Sequence, residues 1–220
     1  MAKYFISLFA LLLITSCDEG SGSYNSKSEP QTLLSKKEQL AHDFENNKLT
    51  EPLDFFDGVV AEFTLTQMHL VGVMKLNDKK AEINAEIVKV GETDELKDAL
   101  SLVEKEIIEE AKRGKKESKR IYTKLKKIKP IGIGGSSFLN KCIKYGEMTE
   151  IVCNDLIENN GAFNFENGNV QKLIDVENDY VEFQSTYASY NNFKVGGEID
   201  TDEMYEDSKK TREDKTKKKN

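Results

Sequence analysis

Apolar residues recur at the spacing of an α-helix in the middle of the chain. Between residues 94 and 128 they lie three or four positions apart, first at Leu96, Leu100, Val103, Ile107 and Ala111 and then at Ile121, Leu125 and Ile128, with Gly114 and Ser118 continuing the same stripe between the two groups. Thr93 precedes this run as a candidate N-cap, and acidic residues follow it in the first turn. The pattern predicts either one long helix over 94–128 or two helices with a break near Gly114, and Pro130 marks the latest end.

The region before this helix has two other patterns. A helical stripe over residues 33–48 predicts a first helix, which Pro52 would end. Apolar and polar residues then alternate in residues 59–76 and again in 81–88, on either side of the turn-forming residues 77–80. Because alternation is typical of a half-buried strand, these runs predict an antiparallel hairpin with one solvated face.

Beyond Pro130 the pattern also favours strands. Residues 138–157 can be paired about a turn at 146–149, in a register that places Cys142 opposite Cys153. This register predicts a second hairpin and allows a disulfide between the two cysteines, with two buried free thiols as the alternative.

Two further patterns extend this β region. Asn167-Gly168 is typical of a two-residue hairpin turn. Tyr180–Tyr187 is interpreted as the next strand, although the spacing of its aromatic residues also fits a helix. Residues 33–200 are therefore predicted to form one α+β domain: an N-terminal helix, an antiparallel hairpin, a long basic helix with or without a kink, and a C-terminal antiparallel β-meander.

The first residues have the pattern of an export signal. Lys3 is followed by an apolar run over 4–14 and then by Thr15-Ser16-Cys17. The run is too short for a hydrocarbon core, which takes about 20 residues, and it matches the apolar part of a secretory signal peptide. The ending resembles a bacterial lipobox, so residues 1–16 are predicted to be removed and Cys17 to carry lipid. An ordinary signal peptide with a chance cysteine is the alternative.

The segments at the two ends of the domain are polar. Residues 17–32 combine the lipidated cysteine with Gly, Ser, Asn and acidic residues, which predicts a flexible tether. Residues 201–220 are a mixed-charge tail that we predict to be disordered. Anchoring would therefore depend on the lipid, and stable anchoring takes two or more acyl chains such as palmitate.

Charge is strongly segregated. The chain has a net charge of −7, yet residues 112–129 hold ten basic residues and one acid. The basic residues are Lys112, Arg113, Lys115, Lys116, Lys119, Arg120, Lys124, Lys126, Lys127 and Lys129. Such a segment attracts polyanions, which here would be sulfated glycosaminoglycans, anionic lipid head groups or an acidic protein. The alternative is a solvated helix face whose positive charge balances the protein's own acidic surface. An exported protein does not meet the genome, so no nucleic-acid partner is predicted.

Residues that could carry catalysis are few. The chain has two histidines, His42 and His69, and neither forms a Ser/His/Asp or Cys/His pattern along the sequence. Gly132–Ser137 lacks the Gly-Lys-Ser/Thr ending of a phosphate-binding P-loop, which favours a simple turn. We therefore predict no catalytic residues, no metal site and no cofactor.

The lipobox, the polar tether, the Lys/Asn/Glu/Ile-rich composition and the lysine-ended tail together resemble the surface lipoproteins of Borrelia spirochaetes. The resemblance, together with a mass of 24.9 kDa, implies a lipid-anchored outer-membrane protein, displayed on the cell surface, that supports persistence in the arthropod vector. It implies a non-enzymatic virulence or colonisation factor that binds a host or vector glycosaminoglycan or protein. The alternatives are a periplasm-facing lipoprotein with an envelope-structural or ligand-binding role and, third, an anchored hydrolase. Asp18 favours the periplasmic alternative, because an aspartate after the lipidated cysteine retains lipoproteins at the inner membrane of enteric bacteria.

Overall fold

The computed structural model describes residues 36–195, together with Leu11–Leu12 and Glu198–Ile199, which pair as a two-residue antiparallel ladder. Five helices follow one another along residues 36–195: α1 (Lys36–Glu45), α2 (Pro52–Val90), α3 (Asp94–Leu125), α4 (Gly135–Glu158) and α5 (Asn169–Tyr190). Cys17 and the predicted tether and tail lie outside the described residues.

The predicted α+β fold is wrong, because no strand lies within residues 36–195. The two predicted helices are present, and α3 runs without interruption through Gly114. The predicted first hairpin, over residues 59–88, is part of α2. The predicted β-meander is replaced by α4 and α5.

The first error has a physical cause in the position of α2. This helix lies at the centre of the bundle and contacts α1, α3 and α4. Residues 55–73 of α2 are therefore buried on several sides, and a helix that is apolar nearly all round shows no single helical stripe. In the following turns Ile83 and Ile87 lie one helical turn apart, facing the core, while Ala81 and Ala85 are exposed. The apparent alternation over 81–88 thus comes from the buried face and the exposed face of one helix.

The second error concerns α4. Its buried residues recur at alternating steps of four and three, at Phe138, Cys142, Tyr145, Thr149, Val152 and Leu156. This is the period of a helix packed along one face, and the hairpin prediction overlooked it. Asn167-Gly168 does form a turn, but Gly168 at φ +70° is the N-cap of α5 rather than the corner of a hairpin.

The disulfide prediction depended on the same hairpin and is corrected with it. Cys142 and Cys153 lie on one helix, eleven positions apart, which corresponds to roughly 16 Å along the axis. A disulfide joins Cα atoms no more than about 7 Å apart. Both cysteines are buried free thiols in the structure, which was the alternative.

The core lies between the helices and contains a column of aromatic rings. Phe63 of α2 stacks on Tyr180 of α5 with ring centroids 3.9 Å apart and contacts Tyr145 of α4 at 4.4 Å. Phe138 continues the column toward Tyr187 at 4.9 Å. All five of these side chains are fully buried. Since the core cluster is built from residues of 36–195, we expect this part of the chain to fold without the flanking segments.

Candidate functional site

The basic residues of 112–129 fall on three sides of α3 and its C-terminal extension. The helix buries Gly114, Ser118, Ile121 and Leu125 against the bundle, so the basic side chains point toward α2, toward α4 or outward. The groups that these side chains contact differ from one side of the helix to another. The ten basic residues therefore form separate groups and not the one binding surface that the sequence predicts.

On the side of α2, two cations are used in bonds within the protein. Lys124 Nζ lies 2.5 Å from Glu62 Oε1 and 2.7 Å from Glu45 Oε1, and so joins α1, α2 and α3. The Lys124 side chain is 18% exposed. The hydrogen bond from Lys124 lowers the pKa of the Glu45 carboxyl. Arg120 binds Glu117 on its own helix at 2.7 Å, and this hydrogen bond lowers the pKa of the Glu117 carboxyl.

On the side of α4, three further cations contact polar groups of that helix. Lys115 Nζ donates to an amide oxygen at 2.5 Å, Lys126 Nζ lies 2.7 Å from a carboxylate, and Lys119 makes a longer contact of 3.8 Å. The partners are Asn154, Glu147 and Glu150 respectively. Exposed pairs of this kind contribute little stability, typically 0 to about 1 kcal/mol.

Two more cations bind acids of α3 itself. Lys112 pairs with Glu109 and Arg113 with Glu110, both at 2.8 Å. The remaining three, Lys116, Lys127 and Lys129, are exposed and have no ion pair among the described residues. The alternative that these cations answer the protein's own acidic surface therefore describes most of the segment. It does not account for these three lysines.

A second candidate is a polar contact buried between α2 and α3. His69 Nδ1 lies 2.7 Å from Glu110 Oε1, and Arg113 donates to the other carboxylate oxygen, Glu110 Oε2. Gly114 lets Cys153 of α4 approach this pair, because a Cβ there would lie 2.9 Å from the Sγ and 3.0 Å from His69 Cβ. The fold thus brings a histidine, a carboxylate and a cysteine together, although no spacing in the sequence indicated it.

This cluster lacks the chemistry of a nucleophilic site. Cys153 is fully buried, and burial raises the pKa of its thiol to about 12. A thiol with that pKa is protonated at neutral pH, whereas the thiolate is the nucleophile. Among the described residues, no group of three or more His, Cys, Asp and Glu side chains is arranged to hold a metal ion.

A third candidate is the interior polar cluster, formed by Gln67, Tyr145, Thr149, Glu177, Tyr180 and Gln184 of α2, α4 and α5. The Gln67 Nε2 donates to Glu177 Oε1 at 2.6 Å. Burial raises the pKa of Glu177 to about 7, and the bond from Gln67 opposes this shift. Burial raises the pKa of Tyr145 well above its ordinary value, and the polar groups of Thr149 and Gln67 beside its hydroxyl oppose this shift.

The interior polar cluster is only partly hydrogen-bonded. Five of its side-chain atoms have no hydrogen-bond partner in the described part of the chain: Gln67 Oε1, Tyr145 OH, Thr149 Oγ1, Tyr180 OH and Gln184 Nε2. Buried polar groups without partners each cost about 1 to 3 kcal/mol. The cluster is thus buried, polar and only partly paired among the described side chains.

The surface offers little enclosure for a small ligand. A hollow between residues 104–112 of α3 and Asn160 is wide open and lined largely by charged side chains. In the described part of the chain, no helix combines the length and apolar character required to cross a membrane. Among the exposed apolar side chains of the described residues, Ile133 and Tyr190 lie at the end of the bundle that also carries Lys127 and Lys129.

Comparison with known proteins adds no further constraint: no protein-family model, no curated protein and no solved structure matches this chain.

Proposed function

We propose that this chain is a lipid-anchored bacterial surface protein that acts by binding rather than by catalysis. The lipobox-like ending at Cys17 supports the anchor, and the polar residues that follow it support a tether. The resemblance to spirochaetal surface lipoproteins supports an outer-membrane location and a part in persistence in the vector. The partner would be a polyanion, such as a host or vector glycosaminoglycan, or an acidic protein.

One observation carries the binding part of this proposal. Lys116, Lys127 and Lys129 are exposed and have no carboxylate partner among the described residues, although the neighbouring acids are already paired with other cations of the segment. Their charge is therefore available to an external anion. The other seven basic residues are mainly structural, and the binding proposal no longer depends on them.

The pairing pattern selects the variant that tests polyanion binding. Reversing Lys124 or Lys126 would also break bonds to α1, α2 or α4, so a loss of binding could follow from a damaged fold. Reversing Lys116, Lys127 and Lys129 to Glu lowers the charge of the segment by six units, two at each position, without breaking a described ion pair. The variant should elute from heparin at markedly lower salt, because it has lost the positive charges that bind the polyanion. Salt competes with such binding, since exposed charges act only over about 8–10 Å at physiological ionic strength.

The control is a second triple reversal at lysines that are equally exposed and unpaired but lie elsewhere: Lys79, Lys89 and Lys172. It applies the same total charge change, so it should shift elution less than the first variant. Circular dichroism of both proteins verifies folding. Equal elution of the two variants would show that heparin senses net charge alone and would refute a localised polyanion site.

The location is tested separately. Cys17→Ala should prevent incorporation of radioactive fatty acid, and retained label in that variant would contradict the anchor. Protease treatment of intact cells then decides the orientation. Loss of the protein is expected for surface display, whereas protection until the outer membrane is breached would favour the periplasm-facing alternative.

A further inference from the structure

The connector between α3 and α4, residues 126–134, lies at one end of the bundle and is held firmly by side chains from outside it. Asn47, just after α1, donates from Nδ2 to the Lys127 carbonyl at 3.2 Å and accepts from the Lys129 N–H at 2.6 Å. One amide thus binds the backbone on both sides of Ile128. The backbone at the two unpaired lysines, Lys127 and Lys129, is therefore held in place.

The other half of the connector is held from the end of α5. Asn191 accepts from the Ile133 N–H and donates to the Ile133 carbonyl, both at 3.0 Å. The Tyr187 hydroxyl donates to the Ile131 carbonyl at 2.8 Å. Gly132 and Gly134 have positive φ values of +74° and +81°, which let the backbone follow this path. Ile133 is therefore held in a defined place.

The held position of Ile133 leaves its side chain in solvent. Ile133 is 67% exposed, and the neighbouring Tyr190 at the end of α5 is 52% exposed. Their positions in the chain are close in space, because Asn191, next to Tyr190, binds the Ile133 backbone and a Cβ at Gly134 would lie 3.4 Å from the Tyr190 ring. Lys48, which follows Asn47 directly, and Lys194, three positions after Asn191, are exposed as well. We name the group of Lys127, Lys129, Ile133 and Tyr190 the connector face.

The acids near this end of the bundle leave Lys127 and Lys129 without an ion pair in the described part of the chain. Glu45 and Glu147 pair with other lysines, Glu51 and Asp54 lie at the start of α2, and α4, capped by Gly134, has no acid in its first turn. An exposed aliphatic side chain, an exposed tyrosine and unpaired lysines on a fixed backbone are the features that proteins use at a membrane surface. Tyrosine prefers the interface, and lysines are attracted to anionic lipids.

We propose that the connector face lies on an anionic lipid surface, with Ile133 and Tyr190 inserted at the head-group level and Lys127 and Lys129 at the phosphates. This inference deepens the proposed function, since it names the polyanion as the lipid surface itself. The tether allows the contact. Eighteen residues separate Cys17 from the first described helix and span at most roughly 60 Å, so a bundle anchored at Cys17 would stay within that distance of the bilayer.

The apolar pair distinguishes a bilayer from a soluble polyanion. Heparin interacts with cations and gains nothing from an isoleucine, whereas insertion into head groups depends on apolar area as well as charge. Changing Ile133 and Tyr190 to Ser should therefore reduce membrane binding and leave heparin elution unchanged. Changing Lys127 and Lys129 to Gln should reduce both.

The experiment measures co-sedimentation of the unlipidated chain, residues 18–220, with phosphatidylcholine vesicles with or without phosphatidylglycerol. The parent should bind the phosphatidylglycerol vesicles at least about tenfold more strongly, and either pair of substitutions should reduce that binding at least about fivefold. The matched control replaces Val88 and Leu102 by Ser. These are also exposed apolar residues, at 85% and 55%, but they lie on the parts of α2 and α3 remote from the connector. This control should bind like the parent.

Two results would overturn the inference. The first is a parent that binds heparin but not phosphatidylglycerol vesicles, in which case the polyanion is soluble and the proposed function survives. The second is an Ile133/Tyr190 variant that, while folded by circular dichroism, binds vesicles as well as the Val88/Leu102 control does. A parent that binds neither heparin nor vesicles would refute both proposals, and fatty-acid labelling at Cys17 tests the anchor independently.

Discussion

Two buried carboxylates in the same bundle have opposite surroundings. Glu110, on α3, contacts His69 and accepts a hydrogen bond from Arg113. Glu177, on α5, accepts one hydrogen bond, from the neutral amide of Gln67, and burial raises its pKa to about 7. Both residues are about 2% exposed. The comparison shows that burial alone does not set the cost of an acid in this core, because the groups that face it decide which protonation state is tolerated.

Removing the carboxylate of Glu110 should have the largest effect. Glu110→Ala leaves His69 buried without its partner and opens space between α2 and α3, and removing one member of a buried pair typically costs 3 to 5 kcal/mol. We expect a loss of about 3 kcal/mol in the free energy of unfolding, measured by urea denaturation. Glu109→Ala is the control, since that acid pairs with Lys112 at the exposed surface and its removal should change the free energy of unfolding far less. Similar losses for both would contradict the distinction.

The contribution of Glu177 to the free energy of unfolding should depend on pH. Its folded-state pKa, about 7, lies above the ordinary value of 4.5, so the protonated acid is the form that the folded state favours. Its contribution to stability is therefore fully present below pH 4.5 and is lost as the pH rises through 7. The difference between the two pKa values corresponds to roughly 3 kcal/mol.

Glu177→Gln isolates this contribution, because an amide of the same shape does not ionise. At pH 8 the variant should be more stable than the parent by roughly 2 kcal/mol, and the advantage should shrink toward pH 5. Urea denaturation of both proteins across this range measures the difference. An advantage that does not change with pH would show that Glu177 does not titrate in this window.

The close approach of neighbouring helices at Gly114 is the next feature to test. Gly114 lies where α3 meets His69 and Cys153, and an added methyl group would contact both. Gly114→Ala would gain about 1 kcal/mol from helix propensity, but overpacking costs typically 1 to 3 kcal/mol. We expect a net loss of about 1 kcal/mol by thermal or urea denaturation. Thr123→Ala, on the exposed side of the same helix, should not destabilise the protein, and a stabilised Gly114→Ala variant would show that the helices can separate.

The sequence predicts α3 well and α2 poorly, and the reason lies in their positions. The helix α3 packs one face on the bundle and leaves the other in water, so its apolar residues keep a helical period. The helix α2 is surrounded, so β-branched and aromatic residues occupy several of its faces and imitate a strand. A local pattern cannot show how many neighbours a helix will have.

The candidate sites divide in the same way. The basic segment was visible in the sequence because it is a property of composition. Which of its members bind acids of other helices was not, since Glu45, Glu62 and Glu147 lie far from them in the chain. The His69–Glu110 pair and the interior polar cluster likewise join residues from different helices. Only the packing of the bundle brings them together.

The smallest expected effect separates the structural cations from the available ones. Lys124 is mostly buried and joins Glu45 to Glu62, and Glu62 is itself buried. Lys124→Gln should therefore cost about 1 kcal/mol, because the Glu62 carboxylate loses its nearest cation while an amide can still donate one hydrogen bond. Lys116→Gln removes the same charge from the same helix, but that side chain is exposed and has no described ion pair, so the change should stay within about 0.3 kcal/mol. Urea denaturation at low salt and at 1 M salt measures both variants. If Lys116→Gln were as costly as Lys124→Gln, Lys116 would belong to the fold, and the proposed binding surface would lose one of its three unpaired charges.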